Sequence, residues 1–251
     1  MPTSALHVAR TGLEAQDARM RVIANNLANV GTTGFKRDRA NFATLAYQDM
    51  RVAGQQSSGE TAYATGLNLG TGVSVQSTTR VVTQGSLNTT DNALDLALDG
   101  DGYFQVQMPG GQLGYTRAGN FTRSAEGQLV TQQGFAVQPP ITIPEGATSV
   151  TIAPDGTVSA SVAGTAEATV LGQITIASFA NPAGLQATGD NFLLETGASG
   201  PAQIGPAGEA GRGNIRQGML EGSNVNVVEE LVDMIEAPRA YEINSKMISA
   251  V

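Results

Sequence analysis

The two ends of the chain carry matched heptad patterns, and a long Gly-rich, β-prone stretch separates them. Leu6, Leu13, Met20 and Leu27 recur every seven residues. Ala9, Gln16, Ile23 and Val30 interleave with them, so the spacing runs three-four-three-four and only Gln16 is polar. At the other end Val227, Leu231, Met234, Pro238, Tyr241, Ser245 and Ile248 keep the same rhythm. A 3.5-residue repeat is the seam of a coiled coil, which buries one narrow stripe against a partner helix. Each end therefore needs a partner. The simplest one is the other end, of the same chain or of a neighbour, and that points to assembly rather than catalysis.

Composition narrows the middle. At 251 residues the chain has room for one large or two modest domains. Aromatics are scarce at 5% and Trp is absent, while 31 Gly fall mostly between short alternating runs, the pattern of a turn-rich β protein. With 22 acidic against 14 basic residues the net charge is -8, without a Lys/Arg patch. Phosphate neutralisation dominates nucleic-acid affinity, so no nucleic-acid partner is expected. Without Cys there is neither a disulfide framework nor a thiolate site. The single His, His7, reads as a helix-surface residue. No apolar run is long enough to cross a bilayer, so no membrane insertion is expected. The N-terminus lacks a basic region followed by an apolar one, so export would need a route without a secretory signal peptide.

Along the chain, residues 3–30 read as one helix, capped by Thr3 or Ser4, with Gly12 the only internal breaker and Gly31 and Gly34 ending it. Residues 31–45 read as a turn and a short helical or extended piece. Residues 46–73 are polar and irregular, a flexible loop unless neighbours order them. From Val73 the period becomes two. VSVQSTTRVV, LDLALD, YFQVQM, LGYTRA, GFAVQP, SVTIA, TVSASV and QITIASF are strands, punctuated by GDG, PGG, AEG and PDG turns. Gln105 and Gln107 alternate with Phe104, Val106 and Met108, which predicts a strand wet on one face. Residues 196–218 read as a linker. Asn226 starts the last helix, with Glu229 as its capping-box partner. The fold class is α+β.

Catalytic readings fit poorly. Asp91, Asp95, Asp99 and Asp101 cluster, but Asp99-Gly100-Asp101-Gly102 lacks the other ligands of a calcium loop and reads as a turn. Gly100-x-Gly102 precedes no helix signal, so it is no phosphate cradle. Ser57 and Ser58 have no activating His apart from His7. Tyr103, Phe104 and Phe121 read as β core rather than a sugar-stacking platform. No catalytic residue, cofactor or metal site is expected. A secreted β-rich carbohydrate-binding protein or enzyme is the remote alternative, and it leaves the paired heptads unexplained.

Asn25, Asn26 and Asn29 crowd the end of the first helix at a cost in helix propensity. One reading is fraying toward Gly31; the other is a buried amide ladder that fixes the register of the seam. ANNLANVGTTGFK here, with SNVNVVEELVDMIEAPRAYEINSKMI at the other end, resembles the bacterial flagellar axial proteins of rod and hook. GDGYFQV and YTRAGNFTRSAEGQLVTQQGFAVQP match that family's β domain, so the resemblance covers nearly the whole chain. YQDMR, GQQSS and TGLNLGTGV, within residues 46–73, are similar to the insertion of the distal-rod branch; proximal-rod and hook proteins are the near alternatives. Pro238 departs from the family pattern, and a mid-helix Pro is expected to kink the last helix or delete one hydrogen bond.

The resemblance implies a structural subunit that polymerises helically into a rigid, hollow drive shaft. It implies export through the flagellar type III apparatus, without a cleavable signal peptide, to a basal body spanning the periplasm. Implied partners are further copies, proximal rod proteins, the hook protein and the surrounding periplasmic and outer-membrane rings. Helices 1–30 and 227–251 would pair as a coiled-coil inner layer, residues 31–88 with 196–226 would connect, and residues 89–195 would form an outer β domain. The helical interface would draw on Leu6, Leu13, Met20, Ile23, Asn25, Asn26, Leu27, Asn29 and Val30 of the first helix. From the last it would draw on Val227, Leu231, Met234, Arg239, Tyr241 and Asn244. Gln55, Gln56, Ser57, Ser58, Gly66, Leu67, Gly70 and Gly72 would form a stiffening contact to an adjacent subunit.

Overall fold

The computed structural model describes residues 2–56, 63–162 and 167–250. It has an N-terminal and a C-terminal helix around a mostly β middle, an α+β arrangement. The chain divides into two compact units. Unit 1 is residues 1–28, 38–80 and 226–251; unit 2 is residues 29–37 and 81–225.

Unit 1 holds helix α1 (Pro2–Ala28), strands β1 (Asp38–Thr44), β2 (Tyr47–Arg51), β3 (Leu67–Gly70) and β4 (Val73–Arg80), and helix α2 (Val227–Ala250). The helices pack antiparallel, with Asn26 beside Glu230, Arg19 beside Asp233 and Gly12 beside Asn244. Asn226 caps α2: its Oδ1 accepts the Val228 N–H at 3.1 Å. Gly12 does not break α1. A Cβ there would stand 3.0 Å from the Asn244 amide, so Gly lets the two helices approach closely. The extended reading of residues 31–45 is the one observed, as β1, which pairs antiparallel with β4 across a bulge at Asn41/Phe42.

The described parts of the segment read as an irregular loop, residues 46–56 and 63–73, carry two strands. β2 and β3 pair antiparallel, Tyr47 opposite Gly70 and Arg51 opposite Leu67. The hairpin closes where Leu45 N–H meets Gly72 O and Thr71 Oγ1 donates to Ala46 O. Val73 N–H donates to Thr11 Oγ1, which seats its base on α1. The tip residues Ser57 and Ser58, named above for a stiffening contact, lie outside the described residues.

Unit 2 is built from short strands: β5 (Leu87–Thr89), β6 (Leu96–Asp99), β7 (Tyr103–Gln107), β8 (Leu113–Thr116), β9 (Thr122–Arg123), β10 (Leu129–Val130), β11 (Val137–Gln138), β12 (Ala147–Ile152), β13 (Thr157–Val162), β14 (Thr169–Gln173), β15 (Thr175–Ser178), β16 (Gln186–Gly189), β17 (Phe192–Leu194), β18 (Gln203–Pro206), β19 (Asn214–Gln217) and β20 (Met219–Glu221). The main sheet runs β16-β17-β8-β7-β15-β18, with β11 also on β7; β12-β13-β14 form a second sheet. The eight period-two runs all fall on strands. The stretch read as a linker, 196–218, instead carries β18 and β19, which pair with β15 and β6.

The core sits on both faces of the main sheet. Phe104, Val106 and Ile176 join Leu96, Phe121, Ile174 and Ile215 in one apolar cluster, and Tyr103, Tyr115, Phe179 and Leu193 form another. Each such side chain contributes about 1.5–3 kcal/mol on burial. The expected wet face of β7 is therefore absent at Gln105. That residue is buried and its Nε2 donates to Thr175 Oγ1 at 3.0 Å, while Gln107 stays exposed. The sequence shows alternation but not the second cluster that covers the polar side.

Candidate assembly surface

The helix pair of unit 1 has an inner seam and an uncovered outer face. On α1 the most buried positions are Ala9, Thr11, Ala15, Ile23 and Asn26; on α2 they are Glu230 and Ala237. Leu6, Leu13, Met20, Leu27 and Met234 are half-buried, as is Asn244; Asn25 and Val30 are exposed. Val227, Leu231, Arg239 and Tyr241 are exposed, so the described residues cover these α2 positions only in part. Beside them runs a second apolar stripe of Val228, Val232, Ile235 and Ile243, between 50% and 69% exposed. An amphipathic surface helix turns its apolar side inward. α2 instead keeps its acids Glu230 and Asp233 toward α1 and its β-branched residues outward.

The inner seam is held by polar groups. Asn26 Nδ2 donates to Asp38 O at 2.9 Å and to Glu230 Oε1 at 3.0 Å, and its Oδ1 accepts the Asp38 N–H. Arg19 pairs with Asp233 at 2.6 Å. Of the three crowded asparagines, Asn26 bonds across the seam to Glu230, the position of a register-fixing amide. Asn29 accepts from Thr32 in the turn after α1. Gln16, the one polar member of the first heptad, has a buried Oε1 without a hydrogen-bond partner among the described residues.

Two further features adjoin the helices. An open apolar groove of about 660 Å³ is lined by Ala5, Leu6, Val8, Ala9, Gly12, Val73 and Met247. The β2–β3 hairpin exposes Tyr47, Met50, Val52, Leu67 and Leu69; only the Arg51 guanidinium is partly covered, 4.0 Å over the Tyr63 ring. Gln55, Gln56, Gly66 and Gly70 are exposed on it, and Gly72 at its base is half-buried. A Cβ on Gly72 would stand 2.2 Å from Thr11 Oγ1, at a φ of +122° that side chains rarely adopt, which is why Gly stands there.

Sequence reasoning passed over a cluster inside unit 2. Glu221 is fully buried and receives Lys36 Nζ at 2.5 Å, Arg117 Nε at 2.9 Å and the Gly85 N–H at 3.0 Å. Arg117 Nη1 also donates to Gly100 O and Gly102 O. Burial pushes the Lys36 ammonium below the usual lysine range, and its bond to Glu221 opposes that shift. The available signal was a charged residue in each of three Gly-containing stretches, GTTGFK, YTRAGN and LEGS. The same turn disposes of the carboxylate reading: Asp99 pairs with Arg216, and Gly100 and Gly102 adopt the positive φ of a tight turn. Tyr103, Phe104 and Phe121 are core, Phe104 meeting Phe121 edge-on at 5.2 Å, so these three rings are not an exposed platform.

The comparisons with known proteins follow this layout. A family model described as flagella basal body rod protein matches residues 6–36. One for the flagellar hook protein FlgE/F/G D1 domain matches residues 97–160, and one for the flagellar basal body rod FlgEFG protein C-terminal region matches residues 216–251. The chain is 51% identical to the flagellar basal-body rod protein FlgG of Buchnera aphidicola subsp. Acyrthosiphon pisum, over 97% of this chain and 94% of that protein. It is 47% identical to FlgG of Caulobacter vibrioides over 98% and 94%, but 33% identical to the FlgF rod protein of the same organism over 98% and 92%. The chain therefore belongs to the flagellar basal-body rod family, as a structural subunit of the rod and not an enzyme.

Proposed function

We propose that the chain is the distal-rod subunit and polymerises helically through α1 and α2 into a hollow, rigid shaft that passes torque from motor to hook. The observation that carries this is the outward stripe of α2, Val228, Val232, Ile235 and Ile243, beside the apolar groove at the far end of the same helix pair. Covering each half-exposed side chain yields about 1 kcal/mol. One such contact falls short of the roughly 4–15 kcal/mol cost of association, so several neighbours per subunit are needed, as in a helical lattice. The stripe and the groove lie at different places on one subunit. A contact of one with the other is heterologous and propagates instead of closing. Within the polymer the helices form a coiled-coil inner layer and the β unit the outer one. Proximal rod proteins, the hook protein and the surrounding rings are the partners of its ends and flank. The protein reaches the periplasm by type III export.

The hairpin β2–β3 is the stiffening element of this reading. Residues 46–73 read as a flexible loop unless neighbours order them, but β2 and β3 pair with each other, and their exposed apolar residues supply the contact to a neighbour. The assembly reading is tested by truncation. Removing residues 1–28 or 226–251 is expected to leave unit 2 folded, by circular dichroism and cooperative melting, and to abolish polymers in sedimentation. Native-like tubes from either truncation would overturn it.

A further inference from the structure

Lys36, Arg117 and Asn224 each lie in one of the three stretches matched by a family model, yet none is among the assembly-surface residues named above. With Glu221 they meet inside unit 2. The chain passes between the two units at four points, 28/29, 37/38, 80/81 and 225/226. On the unit 2 side those passages are carried by three segments, residues 29–37, 81–86 and 221–225. The cluster ties each of them to the other two.

The bonds are specific. Asn224 Oδ1 accepts the Arg37 N–H at 2.7 Å. Its Nδ2 donates to Val81 O at 2.8 Å, to Thr83 O at 3.0 Å and to Thr83 Oγ1 at 3.1 Å. Val81 N–H donates to Arg37 O, and Lys36 Nζ donates to Thr83 O. The backbones join the same knot: Gly34 N–H donates to Glu221 O, and Gly222 N–H to Ser86 O. A Cβ on Gly85 would stand 2.0 Å from Gly222 O, so these segments touch main chain to main chain. Arg117 then fixes the knot to the Gly100–Gly102 turn ahead of β7.

A buried ion cluster of this kind is weak evidence for stability, because apolar residues of the same volume often serve as well. Charge-assisted hydrogen bonds differ in being directional. We propose that Lys36, Arg117, Glu221 and Asn224 form a positioning joint, which holds the three connecting segments in one fixed arrangement within unit 2. This arrangement does not depend on the rod reading.

Hydrogen–deuterium exchange on the full chain tests the joint. Asn224→Ala is expected to speed exchange of the amides in 33–37, 81–86 and 222–225 together, by roughly tenfold or more, as the loss of one to two net hydrogen bonds gives. β7 and β15 should keep wild-type protection. Asn224→Asp retains the acceptor for the Arg37 N–H and loses the three donated bonds. It should restore protection at Arg37 while 81–86 stays fast, a split that a general loss of stability does not produce. Faster exchange confined to 222–225, or spread equally through β7 and β15, would overturn the proposal. Glu221→Gln, where it folds, should loosen all three segments more than Asn224→Ala does; where it does not fold, the two Asn224 variants decide. Polymerisation is read in parallel. A wild-type chain that never polymerises counts against the rod reading and leaves the joint untouched.

Discussion

Gln16 shows what a polar residue in an apolar stripe costs when its oxygen finds no partner among the described residues. It occupies a heptad position whose other members are apolar, and its Oε1 is buried without a hydrogen-bond partner among the described residues. An unsatisfied buried polar atom costs about 1–3 kcal/mol. Gln16→Met, of similar shape, is therefore expected to stabilise the isolated helix pair by about 1–2 kcal/mol in thermal unfolding. A destabilised variant would mean the oxygen is satisfied in solution. Asn26 is the contrasting case. Both ends of its amide are engaged and it sits 2% exposed, so it could be read from the sequence as a register-fixing polar residue. That Asn26 meets Asp38 and Glu230 was not legible, because both lie elsewhere in the chain.

At the scale of elements, legibility followed periodicity. α1 and α2 announced themselves by a 3.5-residue rhythm and strands such as β7, β13 and β15 by alternation. β2, β3, β18 and β19 did not, since YQDMR, LNLG, QIGP and NIRQ are short and mixed, and only pairing makes strands of them. The seam of α2 was legible as a stripe but not as one of two adjacent stripes. The inner one carries Glu230, buried beside the Asn26 amide that donates to it. α2 runs on through Pro238, which is exposed and has no N–H to offer Met234. Pro238→Gln restores that donor and should raise polymer melting, with the gain at most about 3 kcal/mol per helix. Unaltered melting would show the Pro carries no cost here. Excising residues 47–70 brings Ala46 to Thr71, whose side chain and carbonyl are already bonded at 2.6 Å, so the base of the hairpin closes. Polymers of this variant should form but curve in negative-stain images; tubes as straight as wild type would remove the stiffening role.

The whole molecule combines a β unit that satisfies itself with a helical unit that does not. Unit 2 has a core on both faces of its main sheet and a buried ion cluster with every member bonded. Unit 1 leaves Val228, Val232, Ile235 and Ile243 in water along a helix of 24 residues. That imbalance, with the family assignment, is the physical case for a subunit completed by its neighbours. The most direct test is a cryo-electron microscopy reconstruction of the polymer grown from purified protein at high concentration. The account predicts a tube whose inner wall is made of α1 and α2, with Val228, Val232, Ile235 and Ile243 covered by adjacent copies. A tube that leaves these four side chains facing solvent, or a protein that stays a compact monomer, would contradict it.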